Sequence, residues 1–352
     1  MKGNRWVVHS LGGVVGIGVV AFVTLVLSIK IGFRPIYVGT DYSRYHRRYE
    51  VMREQGGVLG HWEPGFELMA VLAGQLGASA EVFFSFLGFF VISMVLLSSW
   101  LLLRLVFPSN GTKRVIAFGL VAAILLIWPF LWNGLTNVIR HGTAIAILFP
   151  AVYALHVGRY WTFGALVLGA ALFHWSAPVF GASAFVGKIV GWRWMLGLAV
   201  GVGVLYGVGA TGSFVLVVER LTGVGVYSRI LEYGADSSYS SGYRLDFLLF
   251  SSFPVLVWGL LWVLSRRVAN EVGLLVGVYC ALLFPFFMFG FGAYSDRWAL
   301  AAWLFMPVVM GGMLVSILKA DRALASFLVV GLLCAWGYAV WSLPIGWIDI
   351  FG

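Results

Sequence analysis

The sequence predicts an all-α, polytopic transmembrane helix bundle with about 10–12 crossings, and three observations carry that prediction. Of its 352 residues, 61% are hydrophobic and 11% charged, with a mean hydropathy of +0.96. Soluble domains lie near roughly 45–50% apolar and about 25% charged, so that class is excluded, as are disordered and disulfide-stapled chains. Apolar runs of the roughly 20 residues needed to cross hydrocarbon recur along the whole chain. They are apolar all round and do not alternate in polarity, which argues for helices against a β-barrel.

The elements follow in order. Spans are expected near 6–29, 82–106, 115–133, 141–157, 194–218, 246–264, 272–292, 298–318 and 324–343. The first follows Met1-Lys2-Gly3-Asn4-Arg5, is too long for a signal-peptide core and lacks a cleavage site, so it is expected to be a retained anchor. The stretch 161–190 is assigned by charge parity. If Lys2 and Arg5 are cytoplasmic, then Lys113, Arg114, Arg159, Arg266, Arg267, Lys319 and Arg322 all fall inside, provided that 161–190 makes an even number of crossings. It is expected to enter near Trp161, turn around His174-Trp175-Ser176-Ala177-Pro178 and return by Lys188. Two helices of about 13 residues reach only about 20 Å each, so re-entrant or half-helix segments surrounded by protein are one alternative to full spans.

The whole chain, 1–352, is expected to form one integral membrane domain, with polar material gathered in two outer-face loops, about 31–81 and 219–245. Arg104, Lys188 and Arg193 also fall inside, where only Glu271 and Asp321 oppose the cations. The remaining eleven cations are outside, and all but Lys30 are Arg. That is more than a positive-inside bias leaves, and Arg is the residue suited to bidentate carboxylate or phosphate recognition. The outer face is therefore the expected working face. The net charge of +9 is spread through short gaps with no basic block, so nucleic acid is not an expected partner. Cys280 and Cys334 lie in apolar runs and make neither a disulfide framework nor a zinc site.

Candidate chemistry lies on that face. In Gly39-Thr40-Asp41-Tyr42-Ser43-Arg44-Tyr45-His46-Arg47-Arg48-Tyr49, Thr40 or Asp41 would cap a helix carrying Tyr42, Tyr45 and Tyr49 on one side. Aromatic rings interleaved with Arg suit sugars or lipid headgroups; an interfacial helix with its tyrosines at headgroup level is the alternative. In His61-Trp62-Glu63-Pro64-Gly65-Phe66-Glu67, Glu63-Pro64 marks a helix start, with Glu63 either a plain cap or a functional acid. Arg140-His141 opens a span, where the helix dipole opposes a cation and an anion nearby would offset both; a snorkelling Arg is the alternative. His174, near Ser176 in an apolar stretch, is either a cavity residue or a buried structural one. Arg244 pairs with Asp246 or binds an anion, and Asp296-Arg297 lies in a very short loop. No phosphate-binding glycine loop, zinc spacing or nucleophile triad is present in the sequence.

With Gly39-Thr40-Asp41-Tyr42, Tyr45, Tyr49, Glu63-Pro64-Gly65-Phe66, Arg140 and His174-x-Ser176 in this order, the chain resembles the EpsG/Wzy-like family of bacterial polysaccharide polymerases. The likeness is strongest over residues 33–180; Tyr243-Arg244-Leu245-Asp246-Phe247 and Asp296-Arg297 are weaker echoes, and His141 stands where the family more often has Gln. The resemblance implies a fold like that of the GT-C membrane glycosyltransferases and a multi-pass place in the bacterial inner membrane. It implies transfer of a glycan from undecaprenyl pyrophosphate to a lipid-linked repeat unit at the periplasmic face, for O-antigen, capsule or exopolysaccharide. Partners would be undecaprenyl-pyrophosphate-linked oligosaccharides, membrane lipids, and a flippase and chain-length regulator of the pathway. No nucleotide, metal or other cofactor is called for. On that basis Arg140, Arg244 and Arg297 are expected to bind pyrophosphate, and Asp41, with Glu63 second, to take the acceptor proton. His174 is expected to hydrogen-bond donor or acceptor or to compete as base. Tyr42, Tyr45 and Trp62 would shape the sugar cleft, beside His141 and Ser176. A flippase or transporter for the same glycans and an O-antigen ligase are the alternatives.

Overall fold

The computed structural model describes residues 4–60, 62–232, 241–318, 329–335 and 337–338, with side chains from residue 18 onward. Helices account for the regular structure of these residues, which contain no strand. The first is α1 (Asn4–Gly32), followed by α2 (Tyr42–Gln55) and α3 (Pro64–Gln75), which occupy what the sequence suggested as the first polar loop. Next come α4 (Ala80–Val106), α5 (Gly111–Leu126), α6 (Pro129–Thr136) and α7 (Ile139–His156). A hairpin of α8 (Tyr160–Ala171) and α9 (Ala177–Val190) leads to α10 (Trp192–Gly207), α11 (Ala210–Thr222) and α12 (Val226–Glu232). The described chain then runs through α13 (Leu245–Leu264), α14 (Arg266–Phe289) and α15 (Ser295–Ile317).

Four helices, α4, α13, α14 and α15, are individually long and apolar enough to cross a membrane, and two bent pairs raise this to six. The pairs are corrections to two expected spans. The run 115–133 breaks at Pro129, where α6 turns 54° from α5. The run 194–218 breaks at Val208-Gly209, where Gly209 takes φ +75° and α11 turns 101° from α10. Hydropathy is blind to both breaks because the residues at them are themselves apolar. α10 alone has 16 residues and so reaches only about 24 Å. The hairpin expected over 161–190 is present, with its turn at 172–176. The expected span 324–343, the charges Lys319, Asp321 and Arg322, and most of the Ser-rich loop at 233–240 lie outside the described residues.

α15 is buried throughout its apolar span, and α14 nearly so, while α4 and α13 turn Phe86, Phe89, Leu249, Leu256 and Val263 outward. An apolar surface of this kind is at rest against lipid, and packing between helices then depends on close contact of small residues. Gly273 and Gly277 of α14 lie directly against Trp192 of α10, and Gly142 of α7 meets the backbone of Gly134 in α6.

Short connections gather the charges at the two ends of the bundle. At one end, Lys113 Nζ pairs with Glu271 Oε2 at 2.5 Å and Arg193 Nη2 bonds Asn270 Oδ1 at 3.3 Å. His156, Lys188 and Trp192 line a small cavity of about 170 Å³ there. Both open ends of the α8–α9 hairpin reach this basic end, as the parity of the charges requires. The opposite end carries α2, α3, the turn between α8 and α9, and the starts of α7 and α15. Its parts are stitched by Gly65 N–H to Leu172 O at 2.9 Å and by Thr40 N–H to Asn137 Oδ1 at 2.7 Å.

Candidate functional site

Asp41 is positioned by backbone geometry. Gly39 has φ +96° and lies so close to the Thr136 carbonyl that a Cβ would sit 2.8 Å from it. The chain then bonds Asn137 through Thr40, and Asn137 Nδ2 is in turn tied to Asn133 Oδ1 at 2.8 Å. Asp41 stands at the N-cap of α2 but makes no side-chain cap bond, and no other partner of its carboxylate occurs among the described residues. Glu63 likewise precedes Pro64 at the start of α3 without capping it. Its carboxylate instead forms an ion pair with Arg140.

Arg140, in the first turn of α7, is enclosed by aromatic rings. Its guanidinium lies 5.4 Å from the Trp62 ring and 5.9 Å from the Tyr45 ring, and its Nε donates to the Tyr45 hydroxyl at 3.2 Å. Burial pushes the Tyr45 phenol above its ordinary pKa, against the pull of Arg140, so it stays protonated at neutral pH. Tyr45 and Trp62 pack with centroids 5.0 Å apart. The backbone before α3 is held by buried Glu67, whose carboxylate accepts from Gly60 N–H at 2.8 Å and Trp62 N–H at 2.9 Å.

His141, Ser176 and His174 form a hydrogen-bonded chain. His141 Nε2 meets the Arg297 carbonyl at 2.8 Å, so that nitrogen carries the proton and, in the neutral ring, Nδ1 is an acceptor. Ser176 Oγ lies 3.2 Å from this Nδ1 and 2.7 Å from His174 Nδ1. One hydroxyl proton serves one acceptor, so donation to His141 requires His174 to donate through Nδ1–H. Donation to His174 instead, over the shorter 2.7 Å contact, leaves its Nδ1 an acceptor and its Nε2 protonated. Ser176 N–H also donates to His174 Nδ1 at 3.3 Å, in keeping with an accepting Nδ1.

Two chambers meet at these residues. A polar chamber of about 400 Å³ is lined by Thr40, Asp41, Arg44, Tyr45, Trp62, Asn133, Asn137, Val138, Arg140 and Asp296. A larger one of about 700 Å³ is lined mainly by Trp175, Val179, Val226, Ile230, Phe289, Ala293 and Trp298, with Ser176, Arg229 and Glu232. His141, His174, Tyr294 and Arg297 line both. Tyr294 has φ +60°, the one non-glycine residue with positive φ among those described, and the Arg297 guanidinium sits 4.1 Å over its ring. Left-handed backbone at an aromatic residue is strained, and such strain concentrates at functional sites.

The structure thus brings Asp41, Tyr45, Trp62, Glu63, Arg140, His141, His174, Ser176 and Arg297 into one region. Two expected site residues lie elsewhere. Tyr42 is buried against Phe84, beneath the Arg34 guanidinium at 3.5 Å, and donates to the Gly32 carbonyl at 2.9 Å. It packs the base of α2 and lines neither chamber. Arg244 is held by Asp246 through bonds of 2.8 and 2.5 Å and lines neither chamber, although its charge reaches Asp296. Asp246 is also bonded by Tyr338 at 2.9 Å. Asn133, Asn137, Glu67 and Tyr294 were missed in the sequence. The asparagines had a signal, two amides at i, i+4 in an apolar run, where buried polar groups need partners. His61 lies outside the described residues.

Fold and site together define a polytopic helical membrane protein with a polar and an apolar chamber joined at one end of its bundle. The chain belongs to the EpsG family, whose model matches residues 18–348, and this membership points to a polysaccharide-polymerase type of function. No curated protein and no solved structure matches the chain.

Proposed function

We propose that this protein is a polysaccharide polymerase that transfers a glycan from an undecaprenyl-pyrophosphate-linked donor to a lipid-linked repeat-unit acceptor. The reaction takes place at the periplasmic face of the bacterial inner membrane and needs neither nucleotide nor metal ion. The observation that carries the reading is the convergence of Arg140, Arg297 and Asp41, whose carboxylate has no hydrogen-bond partner among the described residues, on one polar chamber bordered by an apolar one. The basic ends of α4, α5, α9, α10 and α14 lie away from that chamber, which supports a periplasmic site under the positive-inside bias. A transporter would call for repeated halves, and the sequence shows no internal repeat.

In the proposed reaction an acceptor hydroxyl attacks the donor's anomeric carbon as the bond to pyrophosphate breaks, and the pyrophosphate leaves with the bonding electron pair. Charge then develops on the leaving oxygen, and the fixed guanidinium groups of Arg140 and Arg297 stabilise it electrostatically. Asp41 takes the hydroxyl proton. Glu63 holds Arg140 in place and is thereby removed from the role of base. Tyr45 and Trp62 offer sugar-stacking faces, and Arg244 acts at a distance through its charge. A second assignment of the base, His174, is favoured by its place in a hydrogen-bonded chain at the wall shared by both chambers.

The test uses purified protein and an undecaprenyl-pyrophosphate-linked repeat unit, with chelator and without nucleotide sugar. A ladder of lipid-linked oligomers is expected. Unchanged monomer across several repeat units, from protein that retains its fold, would overturn the reading. Arg140→Ala is expected to lower elongation by about 10²-fold or more while leaving membrane insertion intact.

A further inference from the structure

The two chambers differ in what they can solvate. The polar one offers Asp41, Arg44, Asn133, Asn137 and Asp296 to hydroxyl groups, and Asp296 Oδ1 is buried there without a hydrogen-bond partner among the described residues. The apolar one presents Trp175, Val179, Val226, Ile230, Phe289 and Trp298, and the Ser176 hydroxyl at its edge is already engaged by both histidines. A sugar placed there would leave buried hydroxyls unpaired, at about 1–3 kcal/mol each. A hydrocarbon placed there gains about 25 cal/mol for each Å² withdrawn from water.

α12 supplies Val226, Arg229, Ile230 and Glu232 to the lining of the apolar chamber, and it follows α11, which turns 101° from α10. α11 exposes Phe214, Val217, Val218 and Leu221, and the connection to α12 exposes Val224. An apolar-faced helix lying across the bundle direction is the geometry of one resting in a membrane interface. The chamber is therefore bordered by a lipid-seeking element. Arg229 and Glu232 of α12 and Arg297 of the shared wall line it as well, so two cations and one acid make up its charged lining.

We propose that the apolar chamber binds the first isoprene units of the polyprenyl donor, with the pyrophosphate crossing the shared wall, its glycosyl phosphate toward Arg140 and Arg297 and its lipid phosphate toward Arg229. This rests on the polymerase reading. It selects the donor lipid over the acceptor lipid on chemical grounds. The donor's pyrophosphate is bonded to the reacting anomeric carbon, so its lipid arm begins at the reaction centre. The acceptor's lipid lies a whole glycan away from the attacking hydroxyl.

The full-length protein in lipid nanodiscs is irradiated with an undecaprenyl-pyrophosphate-linked repeat unit carrying a diazirine on its first isoprene unit, and labelled peptides are mapped by mass spectrometry. Label is expected on the segments around Trp175–Val179 and Val226–Ile230. Label confined to 40–62, or spread over the lipid-facing sides of α4 and α13, would overturn the assignment. Elongation by the same protein is assayed in parallel. Labelling elsewhere in a protein that elongates defeats the chamber assignment alone, whereas chamber labelling without elongation defeats the polymerase reading and leaves an isoprenoid site. As a second measure, Val179→Trp fills the chamber. Its KM for the undecaprenyl donor should rise about tenfold relative to its KM for a methyl-pyrophosphate donor, the discrimination hydrophobic pockets commonly give. An unchanged ratio in a folded, membrane-inserted variant would count against the proposal.

Discussion

Asp41, Glu63 and His174 are three groups able to take a proton, and their partners give them different duties. Glu63 is bound to Arg140, Asp41 has no side-chain partner among the described residues, and His174 is oriented through Ser176. Asp41→Asn should therefore reduce kcat of elongation by about 10²–10⁴-fold, the usual loss when a general base is removed. Glu63→Gln, which keeps Arg140 charged, should cost less. If His174→Gln matches the loss while Asp41→Asn is mild, the base is His174. Tyr42 has a different part. Tyr42→Phe removes its bond to Gly32 O and should cost about 1 kcal/mol of stability, seen as a lower unfolding temperature, with kcat nearly that of the parent. In the sequence Tyr42 and Tyr45 are indistinguishable aromatic partners on one helix face. Only the packing of α2 on α4 separates them, turning Tyr42 toward Phe84 and bringing Tyr45 to Arg140.

At the scale of the element, what could be read from sequence was periodicity, and what could not was direction. The start of α3 at Pro64, the tyrosine face of α2 and the α8–α9 hairpin were all legible, because caps, i, i+3 spacing and charge parity are local facts. The turn of α11 was not, since its residues are as apolar as those of α10 and only the backbone at Gly209 records the change. Gly39 is the element-scale counterpart of a catalytic residue. An alanine there would need a left-handed backbone and would press on the Thr136 carbonyl, shifting Thr40 and Asp41 together. Gly39→Ala is expected to destabilise by at least about 1 kcal/mol and to lower kcat of elongation although Gly39 touches no substrate. Unfolding temperature and elongation measured on the same preparation would check both effects.

Across the whole molecule, Lys113, Lys188 and Arg193, three of the cations expected inside, gather at one end of the bundle, and the Arg-lined chambers lie at the other. A reporter fused after Lys188 is expected on the cytoplasmic side and one fused after Gly225 outside, each read by enzymatic activity or labelling of intact cells. Reversal of both would invert the protein and move the proposed reaction to the cytoplasm. The arrangement has an electrical corollary. The large chambers end among His141, Val179 and Phe289, and beyond them α15 continues buried through the bundle. The small cavity beside Lys188 and Trp192 is lined by none of the same residues. Among the described residues the large chambers and the small cavity stay separate, so a membrane crowded with this protein is expected to keep its proton and ion gradients while the hydrophilic product grows.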